Sequence, residues 1–301
     1  MLDGRTRLEK LLSIRRMSVD RVIQILMHQQ LLMPTKACSS CGPQMKLRKK
    51  NAMIDKVCWC CVNRHCVKYQ STMSIRTGSF FESFRSSLSD IFTVIILWSL
   101  NKQIKDIVTD YGLSKSTFID IVDKLRHTVH NDLVDGPVKL GGLGIVCQID
   151  ESLLSRKAKY NVGRQPSRQV WVGIVDCSFK PAKGHAQIVE NRSAATLLPI
   201  IGQICRPGTI IHSDSWAAYN SIQSSFGFEH EKVNHKFNFI DPETGTHTQN
   251  VESYWNRIKL WIKAMKGVSK QQLPHVLSEF VWKDQHRERS FVHLMGLLRA
   301  N

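Results

Sequence analysis

The sequence predicts an α/β fold, a mixed sheet flanked by helices, preceded by a small cysteine-rich module and a helical region. Three observations carry that expectation. From Gly144 onward, three apolar strand-like runs follow one another, and further strands then alternate with helix-spaced segments. Six of the nine cysteines fall between Cys38 and Cys66. Between them, residues 79–135 repeat apolar side chains at helical spacing.

In chain order, residues 1–34 read as a helical segment. Val22, Ile23, Leu26 and Met27 form its apolar stripe, Leu31 and Leu32 continue it, and Pro34 ends it. Residues 35–78 form the Cys- and Lys/Arg-rich module. Residues 79–139 are helical, with one or two helices over Phe80–Leu100. Gln103–Asp110, the turn Tyr111-Gly112-Leu113 and a helix from Ser114 to His130 follow, and Gly136-Pro137 and Gly141-Gly142 form a linker. In residues 140–301 the strands are Ile145–Asp150, Gln169–Asp176, Ala186–Glu190, Thr209–Asp214 and Phe228–Asn234. Helices are expected at Thr196–Cys205, Trp216–Ser224 and Val251–Met265. The last carries Val251, Tyr254, Trp255, Ile258 and Ile262 on one face. The order β-β-β-α-β-α-β-α, a meander followed by α/β alternation, is the layout of a ribonuclease-H-like domain.

Charge bounds the partner. The 301 residues carry a formal net charge of +17, with a sequence pI of about 9.6. Residues 1–78 hold 15 Lys/Arg against 4 Asp/Glu, residues 79–140 hold 7 against 8, and the remainder holds 20 against 13. A basic front and a basic back fit a polyanion, and nucleic acid is the usual one. The longest apolar run, Ile91–Leu100, is about half what a bilayer requires, and no signal-peptide core opens the chain, so a membrane role is not expected. The cysteine clustering points to an intracellular metal site rather than a disulfide framework. The expected location is the nucleus in a eukaryote and the cytoplasm otherwise.

Three acids stand in matching settings. Asp150 and Asp214 close apolar strands, and Glu252 lies in the first turn of a helix, where a carboxylate suits the helix dipole. Two strand-end aspartates and a helix glutamate can converge on a pair of divalent cations. Hard oxygen donors favour Mg²⁺ or Mn²⁺, and such a pair activates water and then a DNA 3′-hydroxyl for in-line attack on phosphodiesters. Asp176 ends the second strand, as either a supporting acid or a turn residue. Arg257 and Lys259 follow Glu252 on its helix; Lys259, about two turns on, is placed to meet phosphate, and the alternative for both is a solvated helix face.

Several of these segments carry a family resemblance. Gln148-Ile149-Asp150-Glu151, Lys159-Tyr160-Asn161-Val162-Gly163-Arg164, Val172-Gly173-Ile174-Val175-Asp176, His212-Ser213-Asp214-Ser215-Trp216-Ala217-Ala218-Tyr219 and His247-Thr248-Gln249-Asn250-Val251-Glu252-Ser253-Tyr254-Trp255-Asn256-Arg257-Ile258-Lys259 resemble the DDE transposase domain of the Merlin group and its bacterial insertion-sequence relatives. The resemblance covers residues 140–290 and implies Asp150, Asp214 and Glu252 as catalytic metal ligands. Some bacterial relatives use asparagine at the third position, which makes Asn250 a rival or helper. Ser215 stands where Gly is frequent.

The cysteine module opens with Cys38-Ser39-Ser40-Cys41-Gly42, half of a zinc knuckle whose glycine permits the tight turn. Spacing alone pairs it with Cys58 and Cys61. The resemblance instead maps a Trp-x-Cys-x4-Cys pattern, followed by Ser-x-Arg-x-Gly-x-Phe-Phe, onto Trp59, Cys61, Cys66 and residues 74–81. It implies Cys38, Cys41, Cys61 and Cys66 as the ligands of a structural zinc in a zinc-ribbon-like module. Lys46-Leu47-Arg48-Lys49-Lys50, between the halves, reads as a phosphate grip, an import signal or a solvated loop.

In the helical middle, Ile104, Ile107 and Val108, the Tyr111-Gly112-Leu113 turn, and Phe118, Ile121, Val122 and Leu125 match a helix-turn-helix pattern. Ser114 would cap the second helix, and Lys115, Ser116 and Thr117 would face a DNA groove; the alternative is a plain helical packing unit. The expected DNA-binding residues are therefore Lys115, Thr117, Arg257 and Lys259. Taken together, the expectation is a transposase acting on double-stranded DNA, at terminal inverted repeats and target, as a homo-oligomer. The alternative is a domesticated descendant that binds DNA without catalysis.

Overall fold

The structure is a computed structural model that describes residues 13–102, 112–154, 169–234, 237 and 239–300. The expected helix Gln103–Asp110, with Ile104, Ile107, Val108 and Tyr111, and the stretch Lys159–Arg164 lie outside the described residues. Contacts divide the chain into two compact units, Met1–Leu125 with Glu288–Asn301, and Arg126–Arg287. Among the described residues, no helix is long and apolar enough to cross a membrane.

In the first unit, α1 (Val19–His28) is started by Ser18, whose hydroxyl accepts from the Arg21 N–H, and buries Val22, Ile23 and Leu26. It packs on α2 (Leu88–Ser99), which Ser87 caps in the same way and which is buried along its length. Three short strands, β1 (Lys46–Lys49), β2 (Val57–Cys60) and β3 (Thr72–Ser74), form an antiparallel sheet in that order. Of the readings offered for the basic run, the solvated loop is corrected in part: Lys46–Lys49 form an edge strand, with all four residues exposed. Arg76 is the internal tie of this unit. Its guanidinium is bidentate to Asp55 (2.7 and 2.6 Å) and also donates to the carbonyls of Phe84 (2.7 Å) and Ser86 (2.9 Å). α3 (Lys115–Asp135) buries the expected stripe Phe118, Ile121, Val122 and Leu125, and runs five residues beyond the expected His130.

The second unit is built on a five-stranded sheet of β4 (Val146–Leu154), β5 (Gln169–Asp176), β6 (Lys183–Val189), β7 (Ile210–Asp214) and β8 (Glu229–Val233). The strand order is β6-β5-β4-β7-β8. β4, β5 and β6 are an antiparallel meander, and β7 and β8 add in parallel, so the expected element order is observed. α4 (Ala194–Ile204), α5 (Ile222–Phe226), α6 (Gln249–Ala264) and α7 (Leu273–His286) follow their strands, and α8 (Ser290–Leu297) returns to the first unit. β5 is buried from Trp171 onward, as expected of a strand covered on both faces. Trp255 of α6 packs directly on Gly173, where a Cβ would lie 2.6 Å from the indole, so β5 needs a glycine there.

Two expectations are corrected. β4 does not end at Asp150 but pairs with β5 as far as Leu154. The single helix expected at Trp216–Ser224 is a 3₁₀ turn, Ala217–Tyr219, followed by the short α5. That break turns Tyr219 fully inward.

Candidate active site

Parallel pairing sets the two aspartates level with each other. Val146, Cys147 and Gln148 of β4 face Ile210, Ile211 and His212 of β7. Extending that register by two residues places Asp150 opposite Asp214, where β7 stops and β4 continues beside β5 alone. Asp150 pairs with Gly173, so its side chain lies on the face covered by α6.

Glu252 is brought to that face by a clasp from the sheet. Gln148, two residues before Asp150 and on the same face of the strand, is 1% exposed. Its Oε1 accepts from the backbone N–H groups of Asn250 (2.8 Å) and Val251 (3.2 Å), and its Nε2 donates to His247 Nδ1 (3.2 Å). The first turn of a helix leaves such N–H groups without intrahelical partners. Gln148 satisfies two of them where the N-cap Thr248 makes no side-chain capping bond. Glu252 lies in this same first turn and is exposed.

The electrostatics of Asp150 reflect these neighbours. Burial, first, and then the charges of Glu151, Asp214 and Glu252 push the Asp150 carboxyl up from 3.8 to about 7. A cation at this point would relieve both the burial cost and the mutual repulsion. The donor set, carboxylate oxygens alone, suits a hard divalent ion. Asn250 makes a different use of its side chain, whose Nδ2 lies 3.4 Å from Cys177 Sγ.

Around the aspartates lie residues that sequence reading had given no role. Glu151 is held by Arg192 (2.6 and 3.2 Å) and by the Tyr219 hydroxyl (2.5 Å), and its side chain is 2% exposed. The Arg192 guanidinium stacks on Trp216, 4.5 Å from the ring centroid. Trp216 in turn donates its indole N–H to the Arg192 carbonyl (3.1 Å) and its backbone N–H to Asp214 Oδ1 (3.0 Å). Gln148, Glu151, Trp216 and Tyr219 all fall inside the quoted motifs. Their partners, decades of residues away, were the missing signal.

The other expected residues are placed as follows. Asp176 is the last, buried residue of β5, and its carboxylate accepts from Gly141 N and, in the turn that follows, from Ser178 N and Ser178 Oγ. Arg257 is engaged within its unit, donating to Asp284 (2.7 Å) and the Ala182 carbonyl (2.5 Å) and lying over the Tyr254 ring. A phosphate would have to compete with these partners. Lys259 is exposed on the same helix. Lys115 is exposed, whereas Thr117 is half-buried and its Oγ1 accepts from Ser86 Oγ at 3.5 Å.

In the first unit, Cys38, Cys41, Cys61 and Cys66 bring their sulfurs within 4.8 Å of one another. Cys38 and Cys66 are 3.8 Å apart and Cys41 and Cys61 3.9 Å. Four sulfurs about 2.3 Å from a tetrahedral zinc stand about 3.8 Å apart, so the cluster is compatible with structural zinc. Gly42, at φ +83°, makes the turn that closes the first knuckle, with its N–H on the Cys38 carbonyl (2.9 Å). Backbone N–H groups of Ser40 and Cys41 lower the Cys38 thiol to about 6, whereas burial pushes the Cys41 thiol up to about 12. Cys58 is turned away, its Sγ 3.7 Å from the Arg48 carbonyl, which goes against the pairing that spacing alone offers.

Residues 143–285, which span this sheet and its acids, match the model of the ISXO2-like transposase domain. The chain is also 28% identical, over 106 residues, to an uncharacterised transposase-like protein of Haemophilus influenzae; the match covers 35% of this chain and 84% of that one. Together these support an insertion-sequence transposase family. Among solved structures, a chain of the cryo-EM structure of the simian T-cell lymphotropic virus intasome in complex with PP2A regulatory subunit B56 gamma is 16% identical. It covers 63% of this chain and 67% of that one with a TM-score of 0.32, a likeness too weak to carry an argument.

Proposed function

We propose that the chain is a DDE transposase of the Merlin type, with a ribonuclease-H-like catalytic domain that cleaves DNA at transposon ends and joins the strands to a target. The observation that carries this reading is the parallel register of β4 and β7, which extended by two residues sets Asp150 level with Asp214, together with the Gln148 clasp that ties the first turn of the helix bearing Glu252 to the same strand. The transposase-domain match over residues 143–285 supports it.

In this reading Asp150, Asp214 and Glu252 hold two Mg²⁺ or Mn²⁺ ions. Bound there, the pair supplies an activated water or 3′-hydroxyl and stabilises the attacking and leaving oxygens of in-line displacement. Asp150 gives up its proton as the site loads. Glu151, fixed by Arg192 and Tyr219, keeps the strand beside Asp150 from shifting. Lys259 meets the DNA backbone near Glu252. Cys38, Cys41, Cys61 and Cys66 hold the zinc that folds the front module, and the exposed Lys46, Arg48 and Lys49 of β1, with Lys115 of α3, give the first unit its grip on DNA. Thr117, already bonded to Ser86, and Arg257, already paired with Asp284, take secondary parts.

The test is Mg²⁺-dependent cleavage of a transposon-end duplex. Asp150→Asn and Asp214→Asn should abolish it while leaving end binding largely intact, and cleavage at the wild-type rate by either would refute the assignment. Glu252→Gln and Asn250→Ala belong in the same assay. Loss with the Asn250 change alone would move the third ligand.

A further inference from the structure

We infer that Trp216 and Arg192 form a nucleotide-binding platform beside Asp214, which takes an unpaired base and its neighbouring phosphate from the DNA end. The inference rests on the metal-dependent DNA-cleavage reading above and names the state of the DNA bound next to that site.

Trp216 is two residues past the end of β7 and 41% exposed. Exposed indoles are common, but this one is fixed at three points. Its backbone N–H is bonded to the Asp214 carboxylate, its ring N–H to the Arg192 carbonyl, and its ring carries the Arg192 guanidinium. A ring so held cannot swing away from the aspartate, so exposure here is built in rather than incidental. Arg192 is equally constrained. Nε and Nη2 are committed to Glu151 Oε2, while Nη1 makes no hydrogen bond among the described residues, and 38% of the side chain remains exposed. One edge of the guanidinium therefore anchors to the protein while Nη1 keeps its donors for a further acceptor, and arginine is well suited to phosphate in that role.

The pair joins two functions at one place. The guanidinium takes one face of the indole, and the opposite face offers stacking to any base, which is worth about tenfold or more in affinity and is tolerant of sequence. A base can reach such a face only when it is unstacked from the duplex, and cleavage next to a DNA end is a situation in which unpaired nucleotides arise. Because Trp216 is tied to the Asp214 carboxylate, a base stacked on it holds its own phosphate in fixed relation to that acid. The same ties explain why Glu151, next to Asp150, is buried against Arg192. The platform is braced from both aspartate strands.

The experiment uses the full chain and two fluorescein-labelled duplexes of the same sequence, one blunt and one with a short single-stranded tail. Binding is followed by anisotropy without added divalent metal. The wild type should prefer the tailed duplex. Trp216→Ala, and Trp216→Leu as a ring-free variant that keeps apolar bulk, should lose about tenfold on the tailed duplex and much less on the blunt one. Trp216→Phe should retain the preference. A 2-aminopurine placed at the first tail position should be quenched by the wild type and the Phe variant, and not by the Ala or Leu variants. An unchanged tail preference in the ring-free variants, or an equal loss on both duplexes, would overturn the platform. Mn²⁺ titration separates this from the underlying reading. Trp216→Ala should bind Mn²⁺ as the wild type does, whereas undiminished Mn²⁺ binding by Asp150→Asn would refute the metal site and leave the stacking result standing on its own.

Discussion

Replacing Asp150 with Asn should make the protein more stable, and by an amount that depends on pH. Burial and three neighbouring acids raise this carboxyl from 3.8 to about 7 in the folded chain. The folded state therefore binds the proton more tightly than the unfolded one, and stability is lost as pH rises through that interval. At about 1.4 kcal/mol per pH unit, the ionised form costs the native state about 4 kcal/mol at pH 8, about 2 kcal/mol at pH 5.5 and less than about 1 kcal/mol at pH 4. Asparagine has nearly the same shape and no charge. The variant should exceed the wild type by those margins, and the two should converge in acid. Urea denaturation across this range in buffer free of divalent metal measures the difference, read by tryptophan emission, to which the buried Trp171 and Trp255 contribute. Mn²⁺ at about a hundredfold over its dissociation constant should return about 2.7 kcal/mol to the wild type and far less to the variant. If the two proteins keep a constant difference in stability from pH 4 to pH 8, Asp150 titrates as an ordinary surface acid, and the convergence argued for this site is wrong.

Four further outcomes are expected. Gln148→Ala should cost about 2 kcal/mol of stability by leaving two helix N–H groups unpaired, and should weaken Mn²⁺ binding as well; a stability loss with unchanged metal affinity would separate the clasp from the site. Metal analysis should find one zinc per chain, lost on Ser substitution at Cys38, Cys41, Cys61 or Cys66 and kept in Cys58→Ser. Arg76→Ala should destabilise the first unit by about 3–5 kcal/mol, since it strands a buried Asp55 carboxylate, and limited proteolysis would show that unit opening first. In competition titrations of repeat against random duplexes at two salt concentrations, neutralising Arg48 and Lys49 should weaken all DNA alike. Lys115→Ala should reduce the preference for repeats, and an unchanged preference would make α3 a packing helix.

What the sequence made legible follows from where the information is stored. β5 was readable to the residue, because a strand covered on both faces writes itself as a continuous apolar run, Val170 to Val175. The far half of β4 was not. Glu151 and Ser152 look like a strand exit, and only the register with β5 and the absorption of Glu151 by Arg192 and Tyr219 explain why the strand goes on. β1 was hidden for the opposite reason, since its four side chains are all exposed and its course is dictated by pairing with β2. Among the cysteines, spacing alone offered Cys58 and the resemblance Cys66; Cys66 joins the sulfur cluster while Cys58 lies against the Arg48 carbonyl, a difference that spacing does not encode. Gln148 was invisible as a functional residue: its two acceptor contacts lie 102 and 103 positions away. Arg257 showed its charge in the sequence but not its partners, Asp284 and Ala182.

The clasp at Gln148 also decides what this domain can tolerate. The turn before α6 closes on itself, with Asp241 accepting from Glu243, Thr244 and Gly245 and pairing back to Thr246. The helix beyond it is seated by a side chain of the central strand. The position of Glu252 is thus referenced to β4 and not to the length of chain that leads up to it. Residues added at the tip of that turn lengthen a surface excursion while the spacing between the three carboxylates stays as β4 sets it. A reporter segment grafted there should leave the seating of this helix on β4 unchanged.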